Sequence, residues 1–280
     1  MSGNTDVQKR VKLDPNRRVE LPDEIWMKIM SYVKSMHLFL NVSLVCKRFY
    51  NIHRSAIKYL KVECVRNKKK FQSAIKVLAQ CKSLKAFEIQ YAHYENHNWQ
   101  SKTFYMESMI KQVLISSQNL KILKLDQSAT LLNMERIGIG ILGKRLEHLE
   151  VNGRNIEGKS CISTLNELKT LRFDCFSERN DILSLIINFP KLEAIFFSNI
   201  TDKKMDSAAF DEFFAKKAST LKKISLRNIF VDEFLKNLGL CQNIESFIAC
   251  RAELDLKYIS ELSHLKELVL KEIKKNNSKA

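Results

Sequence analysis

The 280-residue sequence is poor in glycine, with only seven. That leaves little material for glycine-rich loops that cradle phosphates, and the Walker-type loop is absent. The signatures GxSxG and HExxH are also missing, and no cysteine has a suitably placed histidine and asparagine, so the sequence reads as non-catalytic. No apolar run approaches 18 residues, which argues against a membrane span. The amino end, MSGNTDVQKRVKLDPNRR, lacks the hydrophobic segment of a secretory signal. The seven cysteines include no CxxC pair, and most sit beside apolar residues, as small hydrophobes in a reducing nucleus or cytoplasm would. Neither a disulfide framework nor a metal site is expected, and no cofactor is implied. His93 and His97 flank Glu95 at i,i+4 spacing but lack a third ligand.

The chain is strongly basic, with a formal net charge of +16. Residues 1–18 carry +3, residues 19–62 carry +4, residues 63–270 carry +6 and the last ten carry +3. The excess is spread along the chain. A diffuse positive field favours acidic partners and nucleic-acid encounters. The basic residues are interspersed with acids, and no array of stacking aromatics accompanies them, which disfavours nucleic acid as the partner.

The dominant pattern is periodic. Windows of the form LxxLxLx recur as LKAFEIQ (Leu84), LKILKLD (Leu120), LEHLEVN (Leu146), LKTLRFD (Leu168), LEAIFFS (Leu192), LKKISLR (Leu221), IESFIAC (Ile244) and LKELVLK (Leu265). Their starts are 36, 26, 22, 24, 29, 23 and 21 residues apart. Positions 4 and 6 share one face of a short strand and position 1 turns inward before it. Helix-period stretches such as YMESMIKQVLISSQ, DILSLIINF, AAFDEFFAKKA and DEFLKNLGL fill the intervals. The first interval contains QYAHYENHNWQSKTFY, which reads as a protruding loop. This pattern resembles the leucine-rich repeats, whose period is 20–29 residues. Each repeat cannot hide its apolar face alone, but stacked repeats can.

Positions 3, 5 and 7 then face away from the core, onto the concave surface. At position 5 stand Glu88, Lys124, Glu150, Arg172, Phe196, Ser225, Ile248 and Val269. Apolar side chains at three of these outward positions mark either a contact patch or residues that the chain's own curvature or tail covers. The candidate substrate-binding residues are Lys124, Arg172, Phe196, Lys223, Arg227 and Ile248; the basic ones would suit an acidic or phosphorylated segment.

Ahead of the repeats, LPDEIWMKIMSYV is followed by LNVSLVCKRFYNI. Pro22, Asp23 and Glu24 suit a helix start. Ile25, Ile29 and Val33 form one stripe, Trp26 and Met30 a second, and Phe39, Leu40, Val42, Leu44 and Val45 are apolar on more than one face. About forty residues cannot bury all of this alone. The surplus either docks on the first repeats or serves another protein. The segment from Val19 to about Lys61 resembles the F-box, including LP near its start and SLVCKRF near its end. It departs from the family at Leu38, where an acidic residue is common, in a longer SMH connection, and in Phe49 where tryptophan is usual.

The resemblance implies contacts to a Skp-family linker protein through Leu21, Pro22, Ile25, Ile29, Leu40, Val42, Leu44, Val45 and Phe49, with Lys47 and Arg48 as a solvated basic edge. Through that linker come a cullin and a RING subunit. The expected architecture is α/β: a basic tail (1–18), a short three-helix F-box (19–62), a solenoid of about eight leucine-rich repeats with a curved parallel sheet inside and helices outside (63–271), and a basic tail (272–280). The expected function is substrate recognition for a ubiquitin ligase of the SCF type. A chromatin or nucleic-acid binding module and an F-box scaffold outside any ligase are the alternatives. KRVKLD, containing Lys9, Arg10 and Lys12, resembles the short nuclear-localisation signal of the Myc transcription factors, which places the protein in the nucleus, the cytoplasm or both.

Overall fold

The structure is a computed structural model, and it describes residues 21–32, 51–52, 56–64, 75–76, 79–91, 100–127, 132–153, 156–174, 186–199, 207–229, 237–254 and 256–275. The basic stretch with Lys9, Arg10 and Lys12, the pair His93 and His97, and Leu40, Val42, Leu44, Val45, Lys47, Arg48 and Phe49 all lie outside these residues.

A nine-stranded sheet runs through the described chain. Its strands are β1 (Tyr59–Cys64), β2 (Ala86–Tyr91), β3 (Ile122–Gln127), β5 (His148–Gly153), β7 (Thr170–Asp174), β8 (Ala194–Ser198), β9 (Lys223–Arg227), β10 (Ser246–Cys250) and β12 (Glu267–Lys271), in that spatial order. Every neighbouring pair is parallel. Two small parallel pairs flank it: β4 (Leu132–Asn133) with β6 (Ile156–Glu157), and β11 (Glu253–Leu254) with β13 (Lys274–Lys275). The first strand lies ahead of the residue-63 start expected for the repeats. IKYLKVE, Ile57–Glu63, is a ninth window, and Ile57, Leu60 and Val62 at its positions 1, 4 and 6 are buried.

Position 4 and position 6 side chains from β1 to β10 are all buried, Leu123, Leu125, Leu149, Val151, Ile195 and Ile224 among them. A fully buried Leu or Ile stabilises by about 2 kcal/mol relative to exposure, so stacking is what holds each turn of the solenoid. Two backbone devices repeat with it. Where each strand begins, two successive N–H groups donate to one carbonyl of the previous repeat: Lys121 and Ile122 to Lys85, Glu147 and His148 to Lys121, Lys222 and Lys223 to Glu193. Where strands β8, β9, β10 and β12 end, Asn199, Asn228, Arg251 and Glu272 take φ of 57, 52, 53 and 52°. Asparagine accepts this left-handed corner readily. Asn228 Nδ2 donates to Asn199 Oδ1 at 2.7 Å and Asn199 Nδ2 to Asp174 Oδ1 at 2.5 Å, linking successive corners.

The covering layer contains α2 (Gln100–Ser116), α3 (Ser207–Lys217) and short 3-10 turns at Ile139–Leu142, Lys159–Thr164, Leu238–Leu240 and Leu256–Tyr258. Met109, Ile110, Val113 and Leu114 of α2, and Phe213 and Phe214 of α3, join the same core as the strand residues. The stretch expected as a protruding loop is partly regular: Gln90 and Tyr91 close β2, and α2 already begins at Gln100. Buried Lys217 donates to the Phe189 carbonyl, and burial pulls its pKa below the ordinary range. Gly158 sits at φ 64°, and a Cβ there would come within 2.9 Å of Asn133 Oδ1 and of the Glu135 nitrogen. Cys81 and Cys241 are buried thiols, and burial pushes Cys241 up to about 12.

Candidate protein-interaction surfaces

The first surface is helix α1 (Asp23–Ser31). Pro22 precedes it, its carbonyl accepting the N–H groups of Ile25 (3.1 Å) and Trp26 (3.2 Å). Asp23 and Glu24 occupy the first turn and Lys28 the last, each sign suiting its end of the helix dipole. Successive side chains are 100° apart around a helix. Ile25, Ile29 and Tyr32 therefore fall on one side, and Trp26 about a quarter turn away. Trp26 packs against the solenoid core, whereas Ile25 is 45%, Ile29 44% and Tyr32 71% exposed. Pro22 is exposed and Leu21 half-buried. Of the expected linker contacts, then, the four in the described residues gather on this helix and the turn before it. Further along, Ile52, Ala56 and Ile57 are buried in the core beside Leu60, so the segment's carboxyl end is anchored in the first repeat.

The second surface is the face of the sheet opposite the described helices. Residues at position 5 stand opposite one another in register: Lys61, Glu88, Lys124, Glu150, Arg172, Phe196, Ser225, Ile248 and Val269. The first five alternate in sign and pair. Lys61 Nζ is 3.0 Å from Glu88, Lys124 Nζ 3.0 Å from Glu150, and Arg172 Nε 3.5 Å from Glu150. The Tyr59 hydroxyl donates to Glu88 at 2.6 Å; burial first, then that bond, pushes the phenol up to about 12. His148, whose Nε2 lies 3.8 Å from the carboxylate, then Lys124 and the Arg172 charge, hold the Glu150 carboxyl down at about 2, against the burial that alone would raise it. Arg172 also lies 5.9 Å from the Phe196 ring centroid, within cation–π reach. Beyond it Phe196, Ser225, Ile248 and Val269 are neutral and partly exposed.

All six candidate substrate-binding residues lie on this face, at positions 3, 5 and 7. The structure brings Arg172 and Phe196 side by side and sets Ser225 between Phe196 and Ile248. Lys223 is 3.4 Å from Glu267, whose pKa is lowered first by a Ser246 hydrogen bond and then by Lys223; Arg227 is exposed. Lys124, Arg172 and Lys223 are therefore neutralised within the chain, which sequence reading missed. The signal was available: listed in register order, position 5 alternates Lys, Glu, Lys, Glu, Arg. A second alternating row at position 2, Lys121, Glu147, Lys169 and onward through Glu193–Lys222 and Glu245–Lys266, edges the same face.

The F-box-like family model matches residues 19–56. This match ends just before the first strand of a nine-stranded repeat sheet. The chain joins an F-box-like segment to a solenoid of the leucine-rich-repeat fold. Its solenoid is similar to the structure of the TLR13–ssRNA13 complex, at TM-score 0.50 and 14% identity over 81% of this chain and 34% of that one. It is also similar to the leucine-rich repeat-containing protein LegL7 from Legionella pneumophila (TM-score 0.43, 10% identity, 95% and 90% of the two chains) and to internalin C2 from Listeria monocytogenes (0.39, 13%, 87% and 85%). These likenesses concern the fold. No curated protein matches the sequence. The α1 stripe lies in the F-box-like segment, and the charged and neutral columns lie in the repeats. Among the described residues no group of three or more histidine, cysteine or acidic side chains is placed to hold a metal, and no helix is long and apolar enough to cross a membrane.

Proposed function

We propose that this chain is a substrate-recognition subunit of an SCF-type ubiquitin ligase. In this reading its F-box docks on a Skp-family linker, which brings cullin and RING subunits, and the open sheet face holds the substrate. The observation that carries the reading is the split helix: Trp26 faces the solenoid core, while Ile25, Ile29 and Tyr32 stand uncovered inside a segment that the F-box-like family model matches. Burying those three is worth about 5 kcal/mol gross, which meets only part of the cost of association. Leu40, Val42, Leu44, Val45 and Phe49 would supply the rest. The chain contributes no chemistry of its own. Holding a substrate lysine near a charged ubiquitin carrier raises its effective concentration, and that suffices for acceleration. Lys9, Arg10 and Lys12 would carry the protein into the nucleus, and a fluorescent fusion lacking residues 1–18 should lose nuclear signal.

The test is recovery of the linker and cullin with the full chain. Wild type should retain both; Leu21→Ala with Pro22→Ala, and separately Ile25→Asp with Ile29→Asp, should recover at least about tenfold less. Equal recovery by all three would remove the linker contact. Linker without cullin would instead favour a scaffold acting outside a ligase.

A further inference from the structure

The two outer strands of the sheet differ. At β1 the inward pair Leu60 and Val62 is buried, with Ile52, Ala56 and Ile57 in the same core. At β12 the corresponding Leu268 and Leu270 are 49% and 36% exposed, and Leu240 is 51% exposed. β12 pairs with β10 on one side, and among the described residues no strand lies on its other side. An uncovered edge leaves a row of N–H and C=O groups free to pair with another strand.

This edge is complementary to itself. Residues 266–272 read KELVLKE. Set antiparallel to a second copy with Val269 facing its own counterpart, Glu267 meets Lys271 and Leu268 meets Leu270, each pair occurring twice, within the five residues of β12. Strand alternation keeps Glu267, Val269 and Lys271 on the open face and Leu268 and Leu270 on the core side, in both copies. We propose that two copies of this chain join through β12, antiparallel, about a two-fold axis at Val269. An isologous contact demands such symmetry of charge about one residue, whereas a foreign strand would not.

The existing contacts leave room for it. Ser246 Oγ and Lys223 Nζ both reach Oε2 of Glu267. Lys266 and Glu272 already pair within the chain, with Glu245 at 3.1 Å and Arg251 at 2.8 Å, so Glu267 with Lys271 is the deciding cross-pair. Joining would cover the exposed leucines and continue the row of Ile248 and Val269 across the axis. A five-residue edge is a small interface, so the dimer is weak and concentration-dependent.

Sedimentation of the full chain between about 1 and 100 μM tests this. Wild type should dimerise as concentration rises. Glu267→Lys alone and Lys271→Glu alone each place like charges opposite one another twice, and should self-associate at least about tenfold more weakly. Their equimolar mixture should dimerise like wild type, because the lysines of one copy then face the glutamates of the other. Glu267→Lys also removes contacts to Ser246 and Lys223, so thermal melting accompanies it. Leu268→Lys, at a half-exposed position, should abolish the dimer without changing the melt. A wild-type monomer across the range overturns the proposal and leaves β12 to a foreign strand. So does a mixture no better than its folded components, or a Leu268→Lys chain that dimerises normally.

Discussion

From Lys61 to Arg172 the middle column of the open face alternates in sign and closes on itself in ion pairs; from Phe196 to Val269 the same column carries no charge. Both halves are built on one strand type with one register. Only the outward residue differs, so the contrast isolates what a partner would meet. Covering the charged half desolvates ion pairs that already have their partners, and that cost offsets much of the gain. Covering the neutral half removes water from apolar carbon, which is favourable in proportion to area. The charged half is thus a built, self-satisfied surface, and the neutral half is where a protein ligand gains most.

The sharpest way to break this contrast is to mutate the halves in turn. Phe196→Ala with Ile248→Asp is expected to weaken the partners recovered by affinity purification by about 100-fold, the size of a central interface anchor. Lys124→Ala with Arg172→Ala should cost about fivefold or less, since it removes residues already paired in the chain. Binding of the purified partner, with circular dichroism to confirm folding, decides it. The reverse order would show that the charged half is the contact and the neutral half a covered one.

Much of this was legible in the sequence because a strand has period two. Given LxxLxLx, positions 4 and 6 had to go in and 5 had to go out, and Leu123, Leu125 and Lys124 do so. The first strand was missed although Ile57, Leu60 and Val62 obey the same rule. They lie where the F-box resemblance, Val19 to about Lys61, overlaps the repeat pattern, so one stretch carries two signals. The ion pairs were missed for a different reason. Lys124 and Glu150 are 26 residues apart, and only stacking brings them together, so charge had to be read down the column and not along the chain. The outward-facing Ile25 and Ile29 were expected from surplus alone; that Trp26 would turn to the solenoid depended on where α1 rests, which no local pattern encodes. Lys217, capping the Phe189 carbonyl from the covering layer, had no sequence signature.

A second test probes whether the charged half stabilises the fold. Glu150 pairs with Lys124 and lies near His148 and Arg172, and its carboxyl is held at about 2 instead of the ordinary 4.5. Its folded pKa is below the unfolded one, so its contribution is complete above about pH 4.5 and is lost as pH falls toward 2. The linkage bounds that contribution at ~3 kcal/mol. In urea unfolding, Glu150→Gln should therefore lie ~2 kcal/mol below wild type at pH 6, with the gap closing as pH falls from about 4.5 toward 2. Ser225→Ala, at the same strand position in the neutral half, should give a small gap that does not change with pH. A constant gap for Glu150→Gln would mean that its size, and not its charge, matters to the column.

The smallest expected effect discriminates between partners. If the neutral half makes the contact, raising salt from about 50 to 500 mM should change partner affinity less than about threefold, because apolar burial is insensitive to screening. If instead Lys124, Arg172, Lys223 and Arg227 hold a phosphorylated or acidic segment, the same change should weaken binding by about tenfold or more. A nucleic acid neutralised by several of these bases should lose about a thousandfold. Three slopes thus separate three chemistries on one face. The paired state of Lys124, Arg172 and Lys223 favours the shallowest, since an incoming anion would have to displace Glu150 or Glu267 before it could gain anything.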